Sequence, residues 1–332
     1  MENPPDTEST KPTFGNPLLP GRGVCDPHIR VFGDRAYLYA THDKSSNNPT
    51  FKMEDWWIWS SPDLIKWTHE HTLTPEEIGF GDDFRDCWAT DAAERNGNFY
   101  WYLSNRSFAT HVLVSDTPVG PWSDPLGKPI ISSDDTGGCA HDPGILIDDD
   151  GCAYIVVGAW DYHIAKLDEN MISLAEPSRV ITIQGQEGPV APGKTDDKPY
   201  LHKRNGIYYL SWGCYYAMSD SVYGPYVCKG SFVQDEYLAQ DFRYTGKDIF
   251  FDNSSELFCS AFDYCRREGR LSTFDRHGSF FEWHGQWYFI CNDMSQTQTC
   301  YFRESSICYV NYKENGEIEP VRIDAEGVRL PS

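Results

Sequence analysis

The sequence predicts an all-β protein, a five-bladed β-propeller with four-stranded antiparallel blades, on three observations. Aromatic residues make up 15% of the 332 positions, with 11 Trp, 20 Tyr and 18 Phe, and such side chains favour strands. Short runs of Val, Ile, Tyr, Phe and Trp are broken by Asn-Gly, Asp-Gly and Gly-Pro turns, the pattern of antiparallel hairpins. The hairpins also repeat on a shared template, which a collection of unrelated hairpins in a β-sandwich would not explain.

Taken in order, residues 1–12 are polar and Pro-rich and read as a disordered tail, leaving 13–332 as a single propeller domain. The first hairpin runs from Asp26 through Gly33 to Tyr37, and the second from Trp88-Ala-Thr-Asp91 through Gly97 to Tyr100. The third and fourth match each other in spacing: Asp142, Gly151, Tyr154 and Gly158 against Asp197, Gly206, Tyr209 and Gly213. The fifth runs from His277 through Gly285 to Tyr288. Outer strands are marked by Ser60-Ser-Pro-Asp63 with Trp67, by Ser115-Asp-Thr-Pro118 with Trp122, and by Ser219-Asp-Ser-Val222 with Tyr226. The longest insertion falls around residues 230–270, between blades four and five.

Charge excludes several partners. With 28 Lys+Arg against 50 Asp+Glu the net charge is −22, so no surplus of cations exists to neutralise nucleic-acid phosphates or an anionic membrane surface. The chain has no long apolar run and no apolar segment of signal-peptide type at its N-terminus, so a cytoplasmic location is expected, with a trimmed secreted or periplasmic form as the alternative. Its 11 cysteines are scattered singly without a CxxC pair, which reads as buried thiols in a reducing compartment. Motifs for serine hydrolases, zinc proteases and nucleotide binding are absent.

In a propeller, equivalent inner-strand positions converge on the axis. Here they are Asp26, Asp91, Asp142, Asp197 and His277. Carboxylates gathered round one pocket suit glycosidic chemistry, in which one stays ionised to deprotonate water while another holds the proton for the leaving oxygen. Trp160 and Trp212 follow the second hairpin strand of blades three and four, where they serve either pocket or core; Trp212 is carried forward as a substrate contact.

Several segments carry a resemblance: Asp26-Pro27 leading to Tyr37-Leu-Tyr39, Trp88-Ala-Thr-Asp91 with Asn96-Gly97, His141-Asp142-Pro143 with Asp148-Asp-Asp-Gly151, Lys203-Arg-Asn-Gly206 with Tyr208-Tyr209, and His277-Gly-Ser279 with Trp287-Tyr288. In this order, over about residues 16–320, the chain resembles glycoside hydrolase family 43. The resemblance implies a five-bladed propeller and an inverting hydrolase that removes α-L-arabinofuranosyl or β-D-xylosyl units from plant-type oligo- and polysaccharides. It implies Asp26 as general base, Asp142 as the carboxylate that tunes the acid, and Trp88 as a wall of the sugar pocket. No cofactor is required, although His277 falls where the family places a histidine associated with a calcium ion or a water cluster.

The acid departs from the pattern. Glu187-Gly188-Pro189 has the family's spelling but lies 19 residues before Gly206, whereas Asp197 has the spacing of Asp142. Asp197 is the preferred acid and Glu187 the alternative. An Asp is one methylene shorter than a Glu, which moves the carboxyl relative to the bond it must protonate and weakens any assignment of the sugar by family. The rival readings are a carbohydrate-binding propeller without catalysis, a glycosidase of this fold acting on another sugar such as a galactoside, and a retaining fructan-type enzyme, whose opening motif is missing. Oligomeric state is not legible.

Overall fold

The computed structural model describes residues 15–78, 87–106, 108–191, 193–246 and 256–329. The tail read at 1–12 lies outside them.

Five sheets form the blades. Blade one comprises β1 (Val24–Phe32), β2 (Arg35–Asp43), β3 (Met53–Ser61) and β4 (Thr68–Leu73). Blade two has β5 (Thr90–Arg95), β6 (Asn98–Asn105), β7 (Ala109–Ser115) and β8 (Ile131–Ser132). Blade three has β9 (Gly144–Ile147), β10 (Ala153–Val157), β11 (His163–Leu167) and β12 (Arg179–Val180). Blade four adds β13 (Ile183–Gln184) to β14 (Pro199–Arg204), β15 (Ile207–Trp212), β16 (Tyr215–Ser219) and β17 (Tyr226–Ser231), and blade five has β18 (Gly278–Trp283), β19 (Gln286–Asp293) and β20 (Glu304–Val310).

Four strands per blade therefore holds for blades one to three only. In blade four β13 pairs in parallel with the outer strand β17. Blade five has three strands, and the chain's N-terminal segment takes the outer position: Leu18 N–H donates to Ser305 O at 2.8 Å, and Asn16 bonds both the N–H and the C=O of Ile307 through its side-chain amide, at 2.8 and 2.9 Å. The same amide reaches Asp324 O at 3.0 Å. The ring is closed by the start of the chain lying against its last blade.

The predicted hairpin turns are present. Asn96-Gly97, Asn205-Gly206 and His284-Gly285 all have positive φ at both residues, the two-residue turn whose twist matches that of its strands. Aromatic and branched residues pack between neighbouring blades: Tyr39, Trp56 and Trp101 between blades one and two, Trp57, Trp59 and Phe281 between one and five, and Tyr200, Tyr209 and Phe280 between four and five.

The insertion expected around 230–270 carries α2 (Glu256–Arg267); the other α-helix among the described residues, α1 (Ser133–Thr136), is a single turn. Phe262, Cys265 and Phe274 of the insertion pack with Met294, Cys300 and Tyr301, and Phe51 and Val190 abut them, forming a satellite core on one side of the axial mouth. No described helix is long and apolar enough to cross a membrane.

Candidate active site

Each inner strand enters the ring through an unusual backbone conformation. Asp26, Ala89, Asp142 and Lys198 have φ of 46°, 70°, 59° and 55°. Each stands six residues before the first corner of its hairpin turn, at Phe32, Arg95, Asp148 and Arg204. Left-handed backbone at a non-glycine residue costs roughly 1–3 kcal/mol and persists where the surroundings dictate it. In blade five His277 holds the same register before Trp283, and the left-handed residue is Asp275, with φ of 50°. These heads surround a cavity of about 290 Å³ lined by Asp26, Asp142, Asp197, Asp275, His277, Arg303, His141, Arg106, Trp88 and Phe51.

Asp26 is buried, and its two oxygens differ. Oδ1 accepts from Asn292 Nδ2 at 3.0 Å and Arg303 Nη1 at 3.1 Å, while Oδ2 accepts no hydrogen bond from the described residues. Burial pushes its carboxyl up, but Arg303, His277 and Lys198 outweigh that and hold it well below the usual carboxylate range. Arg303 is itself fixed on Asp43 through its backbone N–H (2.8 Å) and Nε (3.0 Å), and Trp88 Nε1 donates to the same carboxylate at 3.2 Å. Trp88 thereby stands in the pocket wall, edge-on to Phe51 at 6.0 Å.

Asp142 takes the backbone N–H of Lys198 on Oδ2 at 3.0 Å and lies 3.5 Å from His141 Nε2. Burial, opposed by His141 and reinforced by Asp197, pushes its carboxyl up to about 6. Asp197 meets His277 Nε2 at 2.7 Å, an ion-pair contact without good hydrogen-bond alignment. Against burial, which raises it, the neighbouring imidazolium holds Asp197 below its ordinary value.

His277 is encircled by acids: Asp275 at 3.1 Å and Asp26 at 3.8 Å from Nδ1, Asp197 at 2.7 Å and Asp196 at 3.6 Å from Nε2. Burial alone disfavours its charge, yet Asp197 and Asp275 raise it well above the ordinary imidazole value. Asp275, buried, rises to about 7. As to the metal expected at His277, one donor atom each from Asp26, Asp275 and His277 lie within 4.8 Å of one another, as do donor atoms of Asp196, Asp197 and His277, and Asp26 Oδ2 is unpartnered among the described residues, so the residues present fit a cation there, although Arg303 also donates to Asp26 and Asp275 (3.4 Å).

Three sequence expectations fall elsewhere. Asp91 is two residues inside β5, the head position of blade two being Ala89. Its fully buried carboxylate takes Arg30 on both oxygens (2.9 and 2.5 Å) and Ile145 N–H at 2.7 Å, so it ties blades one, two and three together instead of facing sugar. Glu187 does not line the cavity: Arg270 of the insertion holds it through Nη1 at 2.7 Å, and Cys265 caps Pro189 O, fixing the Glu-Gly-Pro loop beneath the insertion. Trp212 is fully buried, its indole N–H on Glu187 O at 2.9 Å, and belongs to the core.

Arg303, Asp275, His141 and Lys198 were not singled out by the sequence reading. His141 and Lys198 adjoin recognised acids, and Asp275 precedes His277 by two residues, which is the available signal; Arg303 has none. Lys198 runs under the pocket, its ammonium on His28 Nδ1 at 2.8 Å and Thr90 O at 3.2 Å.

A five-bladed ring whose axial mouth gathers several differently tuned carboxylates defines the carbohydrate-active propellers. The profile of glycosyl hydrolases family 43 matches residues 14–318, and the chain belongs to that family. It is 30% identical to the β-D-galactofuranosidase xynD of Aspergillus niger, over 97% of this chain and 88% of that one. It is 29% identical to an arabinoxylan arabinofuranohydrolase of Paenibacillus polymyxa, over 68% of this chain, and spans 42% of that relative's length. A family 43 enzyme from Xanthomonas citri, solved with xylose, superposes with a TM-score of 0.71 at 25% identity, covering 95% of each chain.

Proposed function

We propose that the protein is an inverting glycosidase that removes terminal or side-chain pentosyl units, α-L-arabinofuranosyl or β-D-xylosyl, from plant-type oligo- and polysaccharides. The observation that carries this is the asymmetry of Asp26. One oxygen is clamped by Asn292 and Arg303 and the other, buried and unpartnered among the described residues, is left to accept a proton from water. Asp197, which meets the other ring nitrogen of the same His277, protonates the leaving oxygen. Asp142, with a carboxylate oxygen within 4.8 Å of one of Asp197, shares its site as a second, protonatable carboxyl whose own value is pushed up by burial and by Asp197.

The water attacks the anomeric carbon on the face opposite the leaving group, so configuration inverts. The roles of Asp26, Asp142 and Asp197 route no step through a metal; an ion held by Asp26, Asp275 and His277 would add positive charge beside the base, and turnover with and without a chelator tests whether one is used.

A second sugar is favoured by one observation. One relative, matched over 97% of this chain, is named a β-D-galactofuranosidase, and galactofuranose presents the same kind of five-membered ring as arabinofuranose with a longer exocyclic arm. The test is proton NMR of the first product from a panel of α-L-arabinofuranosides, β-D-xylosides and β-D-galactofuranosides. Inversion on one of them supports the class and names the sugar. Initial retention overturns the single displacement, and binding without turnover favours a non-catalytic propeller.

A further inference from the structure

Trp88 of the pocket wall and Arg303 beside the base share one acceptor, a carboxylate that takes no part in the steps above. Asp43, the last residue of β2, is fully buried and does not line the cavity. Its Oδ2 accepts from the backbone N–H of Arg303 at 2.8 Å and from Arg303 Nε at 3.0 Å. Its Oδ1 accepts from Arg303 Nη2 at 3.1 Å and from Trp88 Nε1 at 3.2 Å. The remaining guanidinium nitrogen, Nη1, donates to Asp26 Oδ1 at 3.1 Å.

We propose that Asp43 is a positioning residue that ties the base to the sugar wall, one carboxylate fixing both the guanidinium that holds Asp26 and the indole against which the sugar lies. This rests on the hydrolase reading above. Asp43 belongs to blade one, Trp88 leads into blade two and Arg303 into blade five, so the contact spans three blades. A planar guanidinium held at Nε and Nη2, with its own backbone N–H on the same carboxylate, has one direction left for Nη1, and that direction places Asp26. Moving either Arg303 or Trp88 changes the distance between Asp26 Oδ2 and the anomeric carbon, on which rate depends steeply.

The position demands a carboxylate. All four groups that meet it are N–H donors. An asparagine has the same shape, but its NH2 must face either the Arg303 backbone N–H and Nε or Arg303 Nη2 and the Trp88 indole, donor against donors whichever way the amide lies. Part of the buried network then has to move apart.

The test is a pair of double-mutant cycles, with kcat and KM measured on the best-turned-over dinitrophenyl glycoside and folding checked by circular dichroism. Asp43→Asn is expected to lower kcat by ~10- to 100-fold in the otherwise wild-type protein. In an Asp26→Asn background the same change is expected to cost less than ~3-fold, because the group it acts through is already disabled. Trp88→Phe keeps an aromatic wall and removes only the N–H, so kcat is expected to fall ~3-fold or more. That fall should vanish in Asp26→Asn while any rise in KM persists, a split that a merely structural loss would not produce. Should Asp43→Asn not fold, the Trp88→Phe cycle decides alone. Losses in kcat that multiply with Asp26→Asn, or wild-type kcat in Asp43→Asn, overturn the proposal and leave the hydrolase reading intact. A folded wild-type protein that turns over no glycoside overturns both.

Discussion

At the scale of single residues, the site separates its acids by what touches them. Asp26 keeps its charge because a guanidinium and an imidazolium outweigh burial, whereas Asp142 lacks a guanidinium and rises to about 6. Asp26→Asn is expected to lower kcat by ~10²-fold or more while leaving the fold intact, since an amide oxygen still accepts from Asn292 and Arg303. Turnover measured alongside circular dichroism checks this, and near-normal activity would remove Asp26 as the base. Asp197→Asn is expected to lose comparable activity and Glu187→Gln to keep nearly all of it, because Arg270 holds Glu187 away from the cavity. The reverse order would restore Glu187 as the acid. Asp26 and Asp142 were legible because each heads a hairpin six residues before its turn; Asp197 stands one residue ahead of that position, which in blade four is Lys198. Arg303 was not legible: it meets Asp26 across 277 residues of sequence, and nothing local marks an arginine just ahead of a third blade strand as the partner of an acid in the first blade.

Elements repeat the same division. Hairpins closed by Asn96-Gly97 and Asn205-Gly206 were legible because two consecutive positive φ angles demand those residues. The strand heads were legible to within one or two residues only. Asp91 shares the spelling of a head but sits past the left-handed position, which falls on Ala89, and an alanine there carries no signal. Short edge elements were not legible at all. β13 is two residues long and joins blade four in parallel, and the outer position of blade five is filled by a segment with no strand pattern, held mainly by one amide. That amide makes three bonds, and replacing it, Asn16→Ala, is expected to lower stability by about 2 kcal/mol. Urea denaturation reads this as a lower midpoint with an unchanged slope, and an unchanged midpoint would mean that the segment does not close the ring.

For the whole molecule, the titrations set a stability window. Asp26 and Asp197 have lowered values, so their contribution is present above the unfolded carboxyl value of 3.8 and is lost as pH falls through their folded values. His141 and His277 are raised from 6.5, so theirs is present below 6.5 and is lost as pH rises, through about 9 for His141. Asp275, raised to about 7, binds its proton more tightly when folded and adds to the decline between 3.8 and 7. Tm is therefore expected to fall steadily from neutral pH to about 9, less steeply in His141→Gln. A Tm flat across that range would mean the imidazoles are not charged in the folded protein.

The junction between the first and last blades has a mechanical consequence. Asn16 and Ala325 are joined by a backbone bond of 3.1 Å, so tension applied to the two ends falls on this seam before it reaches any other blade. On the pocket side the seam is spanned by Asp26, from blade one, in the grip of Asn292 and Arg303 from blade five. The residue proposed as general base is thus also the buckle of the ring. Whatever loosens the seam slackens the hold on the Asp26 carboxylate first, so turnover should fade under strain or mild denaturant before the blades themselves come apart.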